Sequence, residues 1–248
     1  MASRQNTVGF IGLGTMGAWM ATHLLRCGFS LAVFDINPKS MAPFAAQDNC
    51  QIAVSPGDVV EKSARTITML PTSDVVEQTL FGADGMAASI TAGDLVIEMS
   101  TGRLDQLESQ SRRIIERGAT FVDAPVCLSK HDAARGELIA VVGGSEAGFT
   151  QAKDILEALS QRVIHAGSVG FGLRLKLLNN YMSMINHVLT GEVLALAQSI
   201  GLDRGVSVDL LQSTAAGKGQ LLTNFPKKVL NGDVTADFPI TMGIKDLA

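Results

Sequence analysis

"VGFIGLGTMGAWMATHLL", residues 8–25, decides how the rest of the chain is read. Within it, Gly12-Leu13-Gly14-Thr15-Met16-Gly17 fits the loose pattern GxGxxG, which alone means little because glycine is common. The pattern gains weight when a strand precedes it, a helix follows and an acidic residue closes the next strand. Val8-Gly9-Phe10-Ile11 is short and apolar, as a buried parallel strand is. Ala18 to Arg26 combines good helix formers with apolar residues at helical spacing, and Cys27-Gly28 ends it with a C-cap glycine. Leu31-Ala32-Val33-Phe34 reads as a second strand that closes on Asp35, about twenty residues beyond the glycines. All three conditions are met, against the alternative of a tight strand–helix turn with no ligand.

The geometry of such a turn is that of a dinucleotide cradle. Gly12 permits the sharp bend, Gly14 lets the backbone approach a pyrophosphate, and Gly17 lets the helix sit close to the strand. Thr15 and Met16 lie at the helix entrance, where unpaired N–H groups and the positive end of the helix dipole face the phosphates. Asp35 is placed to accept hydrogen bonds from ribose hydroxyls and to repel a 2′-phosphate. Ile36-Asn37-Pro38 offers no arginine, and Lys39 is the nearest cation, so NAD is expected ahead of NADP.

Bulk composition narrows the class. At 248 residues and 46% hydrophobic content the chain can bury a full core and accommodate two domains. A net charge of −4, with no basic stripe carrying interleaved aromatics, argues against nucleic acid as a partner. Cys27, Cys50 and Cys127 are too few and too widely spaced for a zinc pattern or a disulfide framework, so no metal is expected and reduced thiols are. The first apolar run is broken by glycine and already used as a strand, and no uncharged stretch reaches spanning length. The expectation is a cytoplasmic protein without a membrane partner.

Strand and helix patterns alternate as far as residue 167. Arg65–Leu70, Asp94–Met99, Thr120–Asp123, Leu138–Val142 and Arg162–His165 read as strands; helices are expected from Ser73 and from Ser100-Thr101-Gly102 towards Arg117. This is the grammar of an α/β protein: an N-terminal, Rossmann-type, doubly wound parallel sheet. Ligands in such sheets bind beyond the carboxyl ends of strands, where Leu70-Pro71 and Ser100-Thr101 fall. After Gly170-Phe171-Gly172 the grammar changes. Leu173 to Ile200 contains no proline and one glycine and reads as one long, largely apolar linking helix, followed by helices near 206–216 and 219–230. Two domains follow: a dinucleotide-binding domain over 1–168 and an all-helical domain over 169–248. The apolarity of the long helix exceeds what one partner face needs, so a second subunit is expected to cover it. Lys245-Asp246-Leu247-Ala248 reads as the opening of a further helix, as if the chain stopped short.

The long helix interrupts its apolar run with Lys176, Asn179, Asn180 and Ser183, which fall within about 60° of one another on one face; His187 continues the stripe. A lysine in apolar surroundings needs a partner or a task. The stripe is either a solvated or intersubunit polar face, or an active-site face turned towards the cofactor.

Taken together, Gly12–Gly17, then Asp123-Ala124-Pro125-Val126, then Gly172-Leu173-Arg174-Leu175-Lys176-Leu177-Leu178-Asn179-Asn180, and finally Lys245-Asp246-Leu247 resemble the β-hydroxyacid dehydrogenase family, over essentially the whole chain and in the family's order. The resemblance implies a Rossmann domain followed by a helical domain that forms homodimers or homotetramers. It implies an NAD-dependent exchange between a small anionic aldehyde and its hydroxy compound. It makes Lys176 the proton donor or acceptor, with Asn180 holding the substrate, and puts Leu70, Thr101 and Lys245 beside the cofactor. Arg174–Ser183 (RLKLLNNYMS) and Ser213–Gly232 (STAAGKGQLLTNFPKKVLNG) are most similar to the branch that reduces 3-sulfolactaldehyde to 2,3-dihydroxypropane-1-sulfonate during sulfoquinovose breakdown. That implies substrate contacts from Asn179 through Ser183; Ser100, at a strand end, and Cys127, where the family's substrate-facing serine sits, are expected to line the same pocket.

The chain departs from the family at one place. Most members follow Asp-x-Pro-Val with Ser-Gly-Gly, and the sulfonate branch has Gly-Arg; here the residues are Cys127-Leu128-Ser129-Lys130. Leucine cannot grip an anion, and Lys130 is the nearest replacement charge. Carboxylate substrates therefore stand beside the sulfonate: tartronate semialdehyde, 3-hydroxyisobutyrate, or 4-hydroxybutyrate and its semialdehyde. A rival from another class is a non-catalytic dinucleotide-binding module, against which the pairing of Lys176 with Asn180 argues. Lys218 in Ala215-Ala216-Gly217-Lys218-Gly219 has neither the spacing nor the preceding strand of a phosphate loop.

Overall fold

The computed structural model describes residues 3–235 and 239–247. Its strands are β1 (Thr7–Ile11), β2 (Ser30–Phe34), β3 (Cys50–Ile52), β4 (Arg65–Thr68), β5 (Leu95–Glu98), β6 (Thr120–Asp123), β7 (Val126–Cys127), β8 (Leu138–Gly143) and β9 (Ser160–Gly167). The helices threaded between them are α1 (Gly17–Arg26), α2 (Pro38–Met41), α3 (Pro56–Lys62), α4 (Ser73–Phe81), α5 (Leu104–Ile115), α6 (Lys130–Ala133) and α7 (Glu146–Leu159). Beyond the sheet come α8 (Phe171–Ser199), α9 (Arg204–Ser213), α10 (Ala215–Lys218), α11 (Asn224–Lys227) and α12 (Ile240–Leu247).

Strands β3-β2-β1-β4-β5-β6 lie side by side and parallel, so the chain winds outward from β1 on one side and from β4 on the other. The reversal between β1 and β4 opens a crevice at their carboxyl ends. Strand β8 joins β6 antiparallel through the single pair Asp123–Gly143, and carries β7 antiparallel and β9 parallel. The parallel strands are apolar on both faces because helices cover both. On one face Phe10, Met20, Leu24, Val33, Ile97, Val122 and Ile155 form a core; on the other, Ile11, Val76, Leu80, Val96, Leu107 and Phe121 form a second. Leu173, in the first turn of α8, belongs to the second core. The start of that helix is thus packed against the sheet.

The expected strands are found, β8 and β9 longer than expected and β4 and β5 shorter, ending at Thr68 and Glu98; α5 begins at Leu104 rather than at Ser100. Strand β3 is three residues long, shorter than the window in which a period can be read. The expected helix over 219–230 is broken into short turns. Gly219 and Gly232 have φ of +80° and +83°, and Pro226 has no N–H to give to a continuous helix. One compact unit ends at Tyr181 and a second begins at Met182, so the division falls inside the continuous helix α8.

The seat of α8 is close-packed. A Cβ at Gly143 would collide with Asp123 Oδ1 and lie 2.7 Å from the carbonyl oxygen of Ser168. Gly143→Ala is expected to destabilise the protein by about 2 kcal/mol, measured by denaturant unfolding.

Candidate active site

The phosphate turn follows from where each glycine sits. Gly12 has φ of +98° and its N–H bonds to the Phe34 carbonyl at 2.9 Å; a Cβ there would run into the Met69 backbone. Gly17 packs so tightly against the Gly12 carbonyl that no side chain fits. Gly14 is the opposite case: a Cβ there would meet nothing within 4 Å, so the space over it is open to an approaching group. Ala18 is the first residue of the helix entrance to bond back, to Gly14 O at 3.1 Å, and Met16 at the N-cap makes no side-chain cap. Among the described residues, the amides of Thr15, Met16 and Gly17 therefore have no protein acceptor, which is what a bound pyrophosphate supplies.

Asp35 is locked beside this turn. Its Oδ2 accepts the Leu13 N–H at 2.7 Å and its Oδ1 the Asn37 N–H at 2.8 Å. Each oxygen keeps a lone pair for a ribose hydroxyl. Gly12, Asp35 and Leu70 share a cleft of about 520 Å³ whose remaining wall includes Ile11, Phe34 and Val75. Apolar walls with a fixed carboxylate at one end suit an adenosine. The residues thus fit NAD.

The opposite rim is tied by hydrogen bonds. Leu70 N–H donates to Ser100 Oγ at 2.8 Å, bridging the loops after β4 and β5. Ser100 N–H in turn donates to Glu98 Oε1 at 2.7 Å, and Thr68 Oγ1 donates to Glu98 Oε2. Glu98 is fully buried, and burial pushes its carboxyl group up to about 7 despite these bonds; the neighbouring Asp123 charge pushes the same way. Thr101 is exposed in the loop leading to α5.

Helix α8 is seated by a residue from β6. Asp123 Oδ1 accepts the Gly170 N–H at 2.6 Å and Oδ2 the Leu173 N–H at 2.7 Å, so a buried carboxylate caps the first turn. Burial pushes Asp123 up, and the two amides pull it back towards the charged form. One and a half turns on, Lys176 is half-buried and its Nζ lies 3.9 Å from Cys127 Sγ at the end of β7. Arg174, on the outer side, pairs with Glu108 of α5 at 2.8 Å.

The expected residues fall into groups. Gly12, Gly14, Thr15, Met16, Gly17 and Asp35 form one turn; Leu70 and Ser100 are bonded to each other; Lys176 and Cys127 are in contact. Asn180 is half-buried and Asn179 exposed on the same helix. Lys130 is exposed at the start of α6, where Ser129 spends its hydroxyl on a capping box with Asp132. Between Cys127 and Ser129, Leu128 holds φ of +83°, a backbone setting that favours glycine. Ser183 lies in α8 beyond the division and Lys245 in α12; both belong to the second unit. Sequence reasoning passed over Glu98. Its signal was an acid closing the otherwise apolar Leu95-Val96-Ile97. Among the described residues no cluster of His, Cys, Asp and Glu could hold a metal, and no helix is long and apolar enough to cross a membrane.

Residues 7–167 match the model for the NAD binding domain of 6-phosphogluconate dehydrogenase, and residues 170–248 that for the NAD-binding region of NADP-dependent 3-hydroxyisobutyrate dehydrogenase. The chain is 36% identical over 240 residues to the 3-sulfolactaldehyde reductase of Escherichia coli, covering 97% of this chain and 80% of that protein. It is also 36% identical over 217 residues to the mitochondrial 3-hydroxyisobutyrate dehydrogenase of Bos taurus, covering 87% of this chain and 63% of that one. Among solved structures, Mycobacterium tuberculosis 3-hydroxyisobutyrate dehydrogenase with L-serine superposes with a TM-score of 0.79 at 29% identity, covering 89% of this chain and 74% of that chain. Asp35, with both oxygens fixed by backbone amides, is the residue on which a preference between the two dinucleotides is tested. Asp35→Ser is expected to weaken NADH binding about tenfold and to bring NADPH within reach of it, measured by fluorescence titration with both.

Proposed function

The chain belongs to the β-hydroxyacid dehydrogenase family, related to 3-hydroxyisobutyrate dehydrogenase, and from that premise we propose that it reduces 3-sulfolactaldehyde to 2,3-dihydroxypropane-1-sulfonate. It is an NAD-dependent oxidoreductase of this kind; the sulfonated substrate, the residue roles and the assembly are the proposal. The observation that supports the reading is the amine of Lys176, held 3.9 Å from Cys127 at the carboxyl edge of the sheet by a helix whose first turn is bonded to Asp123.

Bound NADH supplies the hydride. The chain's own residues bind, orient and move one proton. The Gly12–Gly17 turn and Asp35 hold the two ends of the dinucleotide's adenosine diphosphate, and Leu70, bonded to Ser100, walls the cleft. Lys176 as an ammonium gives its proton to the oxygen of the carbonyl being reduced, and in the reverse direction the neutral amine takes the proton of the hydroxyl. Asn180, one turn further on the same helix, orients that oxygen, with Asn179 and Thr101 as further binding residues of the first unit; Ser183 and Lys245, in the second unit, are binding residues by the family resemblance alone. Lys130 supplies the positive charge for the anionic end of the substrate, since Leu128 cannot.

Homo-oligomerisation belongs to the same proposal. Leu178, Tyr181, Met184, Val188 and Leu196 are exposed along α8, more apolar surface than an isolated helix keeps in water. A second copy covers it, giving a dimer or tetramer in the cytoplasm, where the breakdown of sulfoquinovose calls for this reduction.

Steady-state oxidation of NADH with 3-sulfolactaldehyde and with tartronate semialdehyde is expected to favour the sulfonate by at least about tenfold in kcat/KM. Preference for the carboxylate overturns the substrate, and no turnover with either or with 3-hydroxyisobutyrate returns the chain to a binding module. Lys176→Ala is expected to lower kcat by about 100-fold or more while leaving NADH affinity within about threefold. Sedimentation velocity is expected to show a dimer or tetramer; a monomer at about 10 μM overturns the assembly.

A further inference from the structure

The last rung of the sheet carries an unusual row. Phe34, Ile11, Thr68, Glu98, Asp123 and Gly143 are register partners on successive strands, so their side chains point to the same face at the carboxyl edge. The row is apolar under the adenosine cleft and becomes polar on the side of α8. Two of its neighbours are buried carboxyl groups, and they do different work. Both oxygens of Asp123 accept amides at the helix start, an arrangement that favours the acceptor-rich ionised form. Glu98 instead shares Oε2 with the Thr68 hydroxyl, a partner that can accept as well as give a proton.

Among the described residues, the hydrogen-bond partners of Glu98 are hydroxyl and amide groups, not cations. From β6 it faces Asp123; from β4, Thr68; from α4, Ser73 and Val76; from α5, Leu107 and Gln110; from α8, Leu173. Arg103 lines the same small cavity, and its guanidinium is engaged by Asp105 at 2.7 Å. A cavity of about 10 Å³, about the size of one water, lies beside Glu98 and Ser100.

We propose that Glu98 is a positioning residue of the cofactor site: as a neutral carboxyl group it clamps the ends of β4 and β5 beneath the Leu70–Ser100 rim and leaves the rung's negative charge to Asp123, and its ionisation loosens both the rim and the seat of the helix that bears Lys176. Two adjacent buried carboxylates repel, and each can relieve the repulsion only through the bonds it makes outside the rung: to Ser100 on one side, to the helix start on the other. Burial pushes the Glu98 carboxyl from 4.5 up to about 7, which puts the change near neutrality. The sign is fixed by linkage. The folded protein holds this proton more tightly than the unfolded chain, so ionisation costs stability progressively between 4.5 and about 7 as pH rises.

The test compares wild type with Glu98→Gln, which keeps an acceptor for Ser100 and stays neutral at every pH. NADH affinity, by fluorescence titration, is expected to weaken about fivefold in wild type between about pH 6 and pH 8.5 and to stay flat in the variant. The melting temperature of the variant relative to wild type is expected to rise from about pH 4.5 to about pH 7 and to stay level above it. Neither reading needs the substrate, so the inference rests on the functional proposal only for its kinetic half: the loss of kcat/KM above about pH 7 is expected to shrink in Glu98→Gln. Should the variant fail to fold, the infrared band of a protonated buried carboxyl in wild type, disappearing near pH 7, reads the group directly. Parallel pH profiles for the two proteins, or a wild-type spectrum without that band at about pH 6, overturn the proposal.

Discussion

The structure depends on one hydrogen-bonded junction: the carboxylate of Asp123, at the end of a buried strand, holding the first turn of α8 by two short bonds. Helix termini leave unpaired amides that must find acceptors, and a strand end must find something to pack on. Here each need answers the other. With the helix start fixed, Lys176 comes to Cys127 by helical geometry alone, and Leu173 fills the core above Phe121. The glycines at 143 and 172 are the space this junction requires, since side chains at either position would occupy that of the carboxylate.

The dinucleotide turn shows a second economy of the fold. Its strand, helix and acidic residue are each ordinary; what makes them a site is that β1 and β4 part at their ends. The Gly12 backbone lies in that parting against Met69, and Asp35 steadies Leu13 from the next strand. Binding comes from groups the fold leaves unpaired rather than from groups added to it.

Much of this was legible in the sequence, and for a physical reason. Long periodic segments such as α8 and buried strands such as Val8–Ile11 announce themselves through burial, which acts on every residue in them. Short elements do not: β3 and β7 span too few residues to show a period and are set by pairing with β2 and β8, and Gly219 and Pro226 break a helix whose apolar spacing suggests continuity. The cradle could be read because glycine is needed where a backbone must approach closely. Glu98 escaped because its partners, Thr68 and Asp123, come together only when the strands are laid in register. A polar row across a sheet has no period along the chain.

Leu128 carries a consequence for the turn it sits in. A residue with a Cβ occupies a small basin at φ of +83°, with few neighbouring minima into which it can relax. Its side chain is exposed, so no packing in return holds it there. The turn between Cys127 and Ser129 is therefore kept against its own backbone preference, and a glycine in place of that leucine would relieve the strain without leaving a hole.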